Sequence, residues 1–165
     1  MSNSSHISII KAYLTDVSWI VNLAYSQMNN YLEYAYNAPF DWENWENEMR
    51  GIIFSENYNN GIVQMFKLNI NNKLIGFWWI TPYFDHLWID AFVIAPEYQN
   101  RGFGTQIIGQ IKEIFQFFSP KNTKIELGVQ NNNKKAISFY KKQNFEIKPD
   151  TQLEFFKTLR MVKVF

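Results

Sequence analysis

Ile94-Ala-Pro-Glu-Tyr-Gln99-Asn-Arg-Gly102-Phe-Gly104-Thr105 joins two stretches of opposite periodicity. Residues 87–94 read as a β-strand, and residues 103–118 carry apolar side chains at helical spacing. Strand, glycine-bearing turn, then helix is a layout that holds a phosphate. Glycine has no Cβ, so its backbone can approach a ligand closely and take φ > 0. The first free N–H groups of the helix point at an anion, and the helix dipole favours negative charge there. The segment predicts a phosphorylated ligand.

Outward from this segment, the chain divides into short elements. Residues 6–14 read as a first strand, anchored by Ile7, Ile9 and Ile10, and Thr15-Asp16 offers N-cap chemistry for a helix from Val17. In that helix Ile20, Val21, Leu23, Ala24 and Met28 recur at helical spacing. Pro39 stands near the start of a second helix, where Phe40, Trp42, Trp45, Met49, Ile52 and Ile53 alternate with Glu43, Glu46 and Glu48. Residues 62–70 and 74–80 form a hairpin across Asn71-Asn72, since Asn tolerates the positive φ of tight turns. Pro120 ends the long helix, residues 125–129 form a strand, and Asn133 caps a helix running to about Gln143. Residues 145–147 and 154–164 read as closing strands, and the Asn runs, Asn59-Asn60 among them, as turns. Strands alternate with helices only in part, so a doubly wound sheet is excluded. The order predicts an α/β (α+β) fold: a mixed, mostly antiparallel central sheet of about seven strands with helices on both faces. Residues 1–165 form a single domain in this reading.

Composition narrows the function. There is no cysteine, which removes disulfides, thiolate metal sites and cysteine nucleophiles. His6 and His86 lie far apart and no HExxH spacing occurs, so no metal is expected. With 16 basic and 15 acidic residues the net charge is +1, which gives no general pull toward nucleic acid or an anionic membrane. The start, Met-Ser-Asn-Ser-Ser-His6, lacks a signal-peptide pattern and no run is long enough to span a bilayer, so a soluble cytoplasmic protein is expected. Aromatic residues make up 18% of the chain, more than core packing alone requires.

The nucleotide-binding patterns fail on inspection. No GxxxxGK[ST] string exists, and Gly102-Phe-Gly104 has Ile107 where a third dinucleotide-binding glycine would stand. Gln99-Asn-Arg-Gly102-Phe-Gly104 instead resembles the Q/R-x-x-G-x-G/A signature of the GNAT superfamily of N-acetyltransferases. Downstream, the stretch from Asn133 through Ala136 and Tyr140 to Phe145 resembles that family's N-x-x-A-x-x-x-Y-x-x-x-G-F segment, with Asn144 in place of the glycine. Asn adopts the left-handed conformation readily, so the helix can still end there. The resemblance covers roughly residues 61–148 well, and the first sixty residues only in element order.

The resemblance implies acetyl-CoA as co-substrate. Main-chain groups of Phe92, Val93 and Ile94 would bind the pantetheine arm as a strand binds its neighbour. Main-chain N–H groups of Asn100, Arg101, Gly102, Phe103, Gly104 and Thr105 would cradle the pyrophosphate, with Gln99 at the head of the cofactor-binding loop, Arg101 adding a charge contact and Asn133 a contact further along. Tyr140 stands where the family's tyrosine acts as general acid toward the leaving thiolate, and a phenol is protonated at neutral pH. Its other reading is a packed helix aromatic. A main-chain N–H near Ile94 would stabilise the oxyanion. For the base, Asp90 shares a strand face with Trp88 and Phe92 by period-2 alternation, and a carboxylate among aromatics has reason for a raised pKa. Its other readings are an ammonium-binding carboxylate and a solvated strand residue. Glu126 and a water chain with no single base are further candidates for that role, and Asp85 and His86, in the turn before Asp90, are placed to touch substrate or to face solvent.

The acceptor region implied by the resemblance, between the N-terminal helices and the central strands, contains Trp42, Glu43, Trp79 and Trp88. Aromatics with carboxylates suit a cationic amine, although Trp42, Trp45 and Met49 at helical spacing also fit a core. The expected activity is therefore transfer of an acetyl group to a primary amine of a small molecule. The alternatives are a peptide or protein N-terminal acetyltransferase and a non-catalytic acyl-CoA-binding sensor. A homodimer is one assembly to consider, with no nucleic acid or membrane as partner.

Overall fold

The computed structural model describes residues 7–55, 64–118 and 124–165. His6, Ile62, Asn59-Asn60 and Pro120, invoked above for a strand edge, turns and a helix end, lie outside them.

β1 (Ile7–Lys11) is shorter than the pattern implied. The main chain still reaches Met65 through the Ala12 N–H, then folds into a 3-10 turn over Leu14–Asp16. Asp16 closes that turn by accepting from the Tyr13 N–H at 2.8 Å, and it pairs with Lys67 at 3.0 Å. These partners draw its carboxylate away from α1 (Val17–Tyr36), which it precedes without capping, contrary to the sequence expectation. α2 (Trp42–Phe54) begins at Asp41, whose side chain accepts from the Asn44 N–H, so Pro39 lies in the approach to the helix.

β2 (Gln64–Ile70) and β3 (Lys73–Pro82) meet at Asn71 and Asn72, with φ of 49° and 62°. Positive φ at both turn positions matches the right-handed twist of the paired strands. β4 (His86–Ile94) completes the meander and leads through a 3-10 turn, Pro96–Tyr98, into α3 (Phe103–Phe118). β5 (Lys124–Gln130), α4 (Lys134–Lys142) and β6 (Glu146–Lys148) follow.

Residues 154–156 are not strand. Asp150 accepts from the N–H groups of Gln152 and Leu153 and nucleates α5 (Thr151–Phe155), so β7 runs only over Thr158–Val164.

Among the described residues, seven strands form one sheet in the order β1-β2-β3-β4-β5-β7-β6. Only β4 and β5 are parallel; the other neighbours run antiparallel. Helices cover both faces. On one, Ile107, Ile108, Ile111, Ile137 and Tyr140 of α3 and α4 pack on Trp78, Ile80, Leu87, Ile89 and Leu127. On the other, Val17, Ile20, Ala24, Met49 and Ile53 of α1 and α2 pack on Phe77, Trp79, Ala91 and Val93.

Candidate active site

β4 and β5 pair only from His86↔Lys124 to Ile89↔Leu127. Beyond Ile89 the two parallel strands part company, while β4 stays paired to β3 as far as Ile94↔Gly76. A strand edge with main-chain groups but no strand partner is a template for an extended ligand. Alternation decides which groups face the gap. The Val93 carbonyl points at β3, since a Cβ on Gly76 would sit 2.3 Å from it, and the Ala95 N–H bonds Ile75. Phe92 and Ile94 therefore face the gap with both their N–H and C=O groups. Val93, expected to bind the arm through its main chain, spends those groups on β3.

The divergence begins at a β-bulge. Trp79 pairs with Ala91 and Ile80 with Ile89, so Asp90 is the extra residue. The bulge shifts the side-chain parity of β4. Leu87 and Ile89 face the α3/α4 core before it, and after it that side takes Phe92 and Ile94. Ala91 and Val93 face α1 and α2. Asp90 therefore does not share a face with Phe92, as strict alternation implied. It lies on the α1/α2 side, where Glu48 of α2 is near enough to repel its charge.

The Thr81 hydroxyl donates to Asp90 Oδ2 at 2.7 Å. Loss of hydration raises the Asp90 carboxyl to about 6, Glu48 adds to the rise, and the Thr81 hydrogen bond opposes it. The side chain is nonetheless exposed by surface area. Neighbouring protein atoms strip part of the hydration from the carboxylate while leaving it open to solvent.

Glu126 has a different environment. It is 2% exposed, accepts from Arg160 at 2.6 and 2.8 Å, and lies 2.9 Å from Lys124 Nζ. Burial alone would raise its carboxyl, but the Lys124 and Arg160 hydrogen bonds outweigh that and hold it below its usual value. A carboxylate so paired is a poor proton acceptor. Asp85 bonds His86 at 2.7 Å and Lys124 at 3.2 Å in the same network. Among the described residues, Asp90 takes a hydroxyl and no cation.

The glycine loop has the geometry of an anion nest. Asn100 and Gly102 have φ of 59° and 81°, and α3 starts one residue later. Left-handed residues followed by a helix N-terminus turn successive N–H groups to one side. Gly102 answers to its backbone conformation. Gly104 answers to packing: a Cβ there would meet the Phe139 ring at 3.0 Å. Arg101 lies over the Tyr98 ring at 5.7 Å, and Thr105 Oγ1 accepts from Gln143 at 3.0 Å. Gln99, expected at the ligand, turns its side chain inward to the Ile94 carbonyl, Gln27 and Lys135.

α4 begins and ends by local chemistry. Asn133 Oδ1 accepts from the Ala136 N–H and caps the helix. At the other end Asn144 has φ of 65°, its N–H bonds Lys141, and the Phe145 N–H bonds Tyr140. This is a Schellman closure, and its usual apolar contact is here Tyr140 against Phe145, with ring centroids 5.3 Å apart. Tyr140 is 8% exposed, and burial pushes its phenol well above the ordinary value, which keeps it protonated.

Among the expected acceptor residues, Trp42 joins Trp45 at 5.3 Å, and Trp45 joins Trp79 at 6.0 Å. Trp42 also donates its indole N–H to Asn29 of α1, so it fixes the two helices together. Trp88 is half-buried on the α1/α2 side beside Gly128, and Glu43 is exposed on the first turn of α2. Sequence reasoning missed Thr81, Glu48, Gln27 and Lys135, which meet the site only through tertiary packing.

Three solved structures show the same fold. The PaiA N-acetyltransferase of Thermoplasma acidophilum in complex with coenzyme A aligns with TM-score 0.72 at 18% identity over 97% of this chain and 99% of that one. The spermidine N-acetyltransferase of Vibrio cholerae in complex with CoA and spermine aligns with TM-score 0.69 at 20% identity, over 98% and 96%. An acetyltransferase of Salmonella typhimurium that modifies the N-terminal serine of ribosomal protein L7/L12 gives TM-score 0.74 at 13% identity, over 98% and 96%. No match is found among curated proteins. The model of the acetyltransferase (GNAT) family matches residues 20–145, and the chain belongs to that family of acetyl-CoA-dependent acetyltransferases.

Proposed function

We propose that the protein transfers the acetyl group of acetyl-CoA to a primary amine of a small, cationic molecule. The observation that carries this reading is Asp90: bulged out of β4 at the point where the strands part, on the side of the Trp42–Trp45–Trp79 rings, and lacking among the described residues the cationic partners that Glu126 and Asp85 have. An ammonium group supplies the missing positive charge, and aromatic faces favour it further.

The residues present suit acetyl-CoA. The loop from Asn100 through Thr105 offers N–H donors to a pyrophosphate, and the Phe92 and Ile94 edge offers strand-like pairing to the amides of the pantetheine arm. Asn133 retains its side-chain N–H₂ for a further contact, since capping uses only its oxygen. The bound co-substrate supplies an acetyl group activated as a thioester. Were the phosphates held at the loop beyond Ile94, residues toward the bulge would meet the reactive end. Phe92, rather than Ile94, would then be the nearer N–H donor to the thioester oxygen. Asp90 accepts one proton from the substrate ammonium and frees the amine to attack; Tyr140 would give its hydroxyl proton to the departing sulfur and recover the second proton of the amine nitrogen as the amide forms.

The test is a thiol-release assay with purified protein, acetyl-CoA and a panel of polyamines, aminoglycosides, amino acids and peptides with free N-termini. Small multiply charged amines should give the highest turnover. Turnover confined to peptides would replace the small-molecule reading. Tight acetyl-CoA binding with no turnover on any amine would point to a sensor.

A further inference from the structure

Gln99 lies in the glycine-loop signature, yet its side chain is committed within the protein. Its Nε2 donates to the Ile94 carbonyl at 2.7 Å and to Gln27 Oε1 of α1 at 3.2 Å. Its Oε1 accepts from Lys135 Nζ of α4 at 2.5 Å. One amide thus joins the last residue of β4, a helix on one face of the sheet and a helix on the other.

The Ile94 bond has a chemical consequence. Phe92 and Ile94 are the two residues of β4 whose main-chain groups face the gap. Phe92 keeps both a donor and an acceptor there. At Ile94 the carbonyl already accepts from Gln99, which fills one of its two lone pairs and leaves the N–H as the group more readily offered to a ligand. We infer that Gln99 is a positioning residue: by engaging the Ile94 carbonyl it leaves the N–H as the readier group at the mouth of the gap, aimed at a ligand carbonyl. This inference rests on the reading above that the pantetheine arm lies along β4. The arm's amide nearest the phosphates would then be held through its carbonyl, and Phe92 would hold the next amide through both of its groups.

The amide geometry also accounts for the residue types in the Q/R-x-x-G-x-G/A signature. Gln and Arg share side-chain N–H donors at comparable reach, and donation to a strand-end carbonyl requires nothing else. Lys135 is an exposed side chain able to swing aside, so its bond steadies the Gln99 amide without being indispensable.

Two substitutions of nearly constant length separate this role from packing. Gln99→Glu replaces the donating N–H₂ with an acceptor set against the Ile94 carbonyl, while its charge strengthens the contact with Lys135. Gln99→Arg keeps a donor and gives up the Lys135 contact. Calorimetric titration with acetyl-CoA should show affinity lowered about tenfold in Gln99→Glu and within about threefold of wild type in Gln99→Arg, the size of one hydrogen bond made or lost. Thermal midpoints of the two variants should stay close to wild type. Wild-type affinity in Gln99→Glu, or equal loss in both variants, would overturn the positioning role. A wild-type protein that fails to bind acetyl-CoA would instead overturn the reading on which the inference rests.

Discussion

Replacing Asp90 with Asn tests chemistry and stability with one atom changed. The Asp90 carboxyl is raised from 3.8 to about 6. Two pH units correspond to roughly 3 kcal/mol of preference for the protonated form in the folded state. The side chain is exposed to the cleft, and solvent screening reduces that to about 1 kcal/mol. Because the folded state holds this proton more tightly than the unfolded chain does, the group contributes stability below about pH 4 that is lost as pH rises through about 6. Asparagine cannot titrate. Urea unfolding at a series of pH values should therefore show Asp90→Asn gaining about 1 kcal/mol on wild type between about pH 4 and pH 7, with no further change above. In the thiol-release assay, wild-type kcat/KM should carry an acidic limb near pH 6. The variant should lose that limb along with about a hundredfold in rate, the scale of one general base. A stability difference independent of pH, or an acidic limb that survives the substitution, would refute both the environment and the role assigned to Asp90.

Tyr140→Phe keeps the ring against Phe145, so the thermal midpoint should hold while turnover falls at least about tenfold at unchanged acetyl-CoA affinity; unaltered turnover would reduce Tyr140 to a packing residue. Arg160→Leu strips the buried Glu126 of its two shortest hydrogen bonds and should cost about 3–5 kcal/mol in denaturant at neutral pH. Glu126 is held below its usual pKa, so its contribution is present at neutral pH and fades on acidification; the penalty should shrink as the medium is acidified toward the carboxylate range. Asn144→Ala forces a Cβ into the left-handed region without the local bonding that Asn allows, and should cost about 1 kcal/mol by thermal unfolding. A neutral effect there would remove the Schellman closure as the device that ends α4.

The legible parts of the chain are those whose cause is local. Asn71-Asn72, Asn133 and Asn144 announced a hairpin, a cap and a helix end through backbone preferences that travel with the residue, and each is found in that role. The mixed sheet followed from element order for the same reason. What stayed hidden depends on a second strand or a distant helix. The bulge at Asp90 exists only in relation to β3, and it reverses the parity on which the grouping of Asp90 with Phe92 was built. The inward bonds of the Gln99 side chain could not be read from the loop signature because its partner Gln27 lies 72 residues away. Gly104 looked like room for a phosphate because Phe139, the ring it accommodates, is on another helix. α5 is hard to read in the sequence because a five-residue helix carries little periodicity and its start rests on the Asp150 cap alone.

The position of β7 bears on the order in which the molecule is made. β7 lies between β5 and β6, and among the described residues β6 has no other strand neighbour. During synthesis β5 and β6 leave the ribosome before the segment that joins them. β1 through β4 and their hairpins can assemble as they emerge. The second arm of the gap must then wait with one edge bare until residues 158–164 arrive. Arg160 reaches Glu126 only at that point, so this buried charge stays uncompensated by it until nearly the last step. A nascent chain stalled just short of β7 should carry a formed meander and an unfinished cleft, open to chaperones or to mispairing at β5.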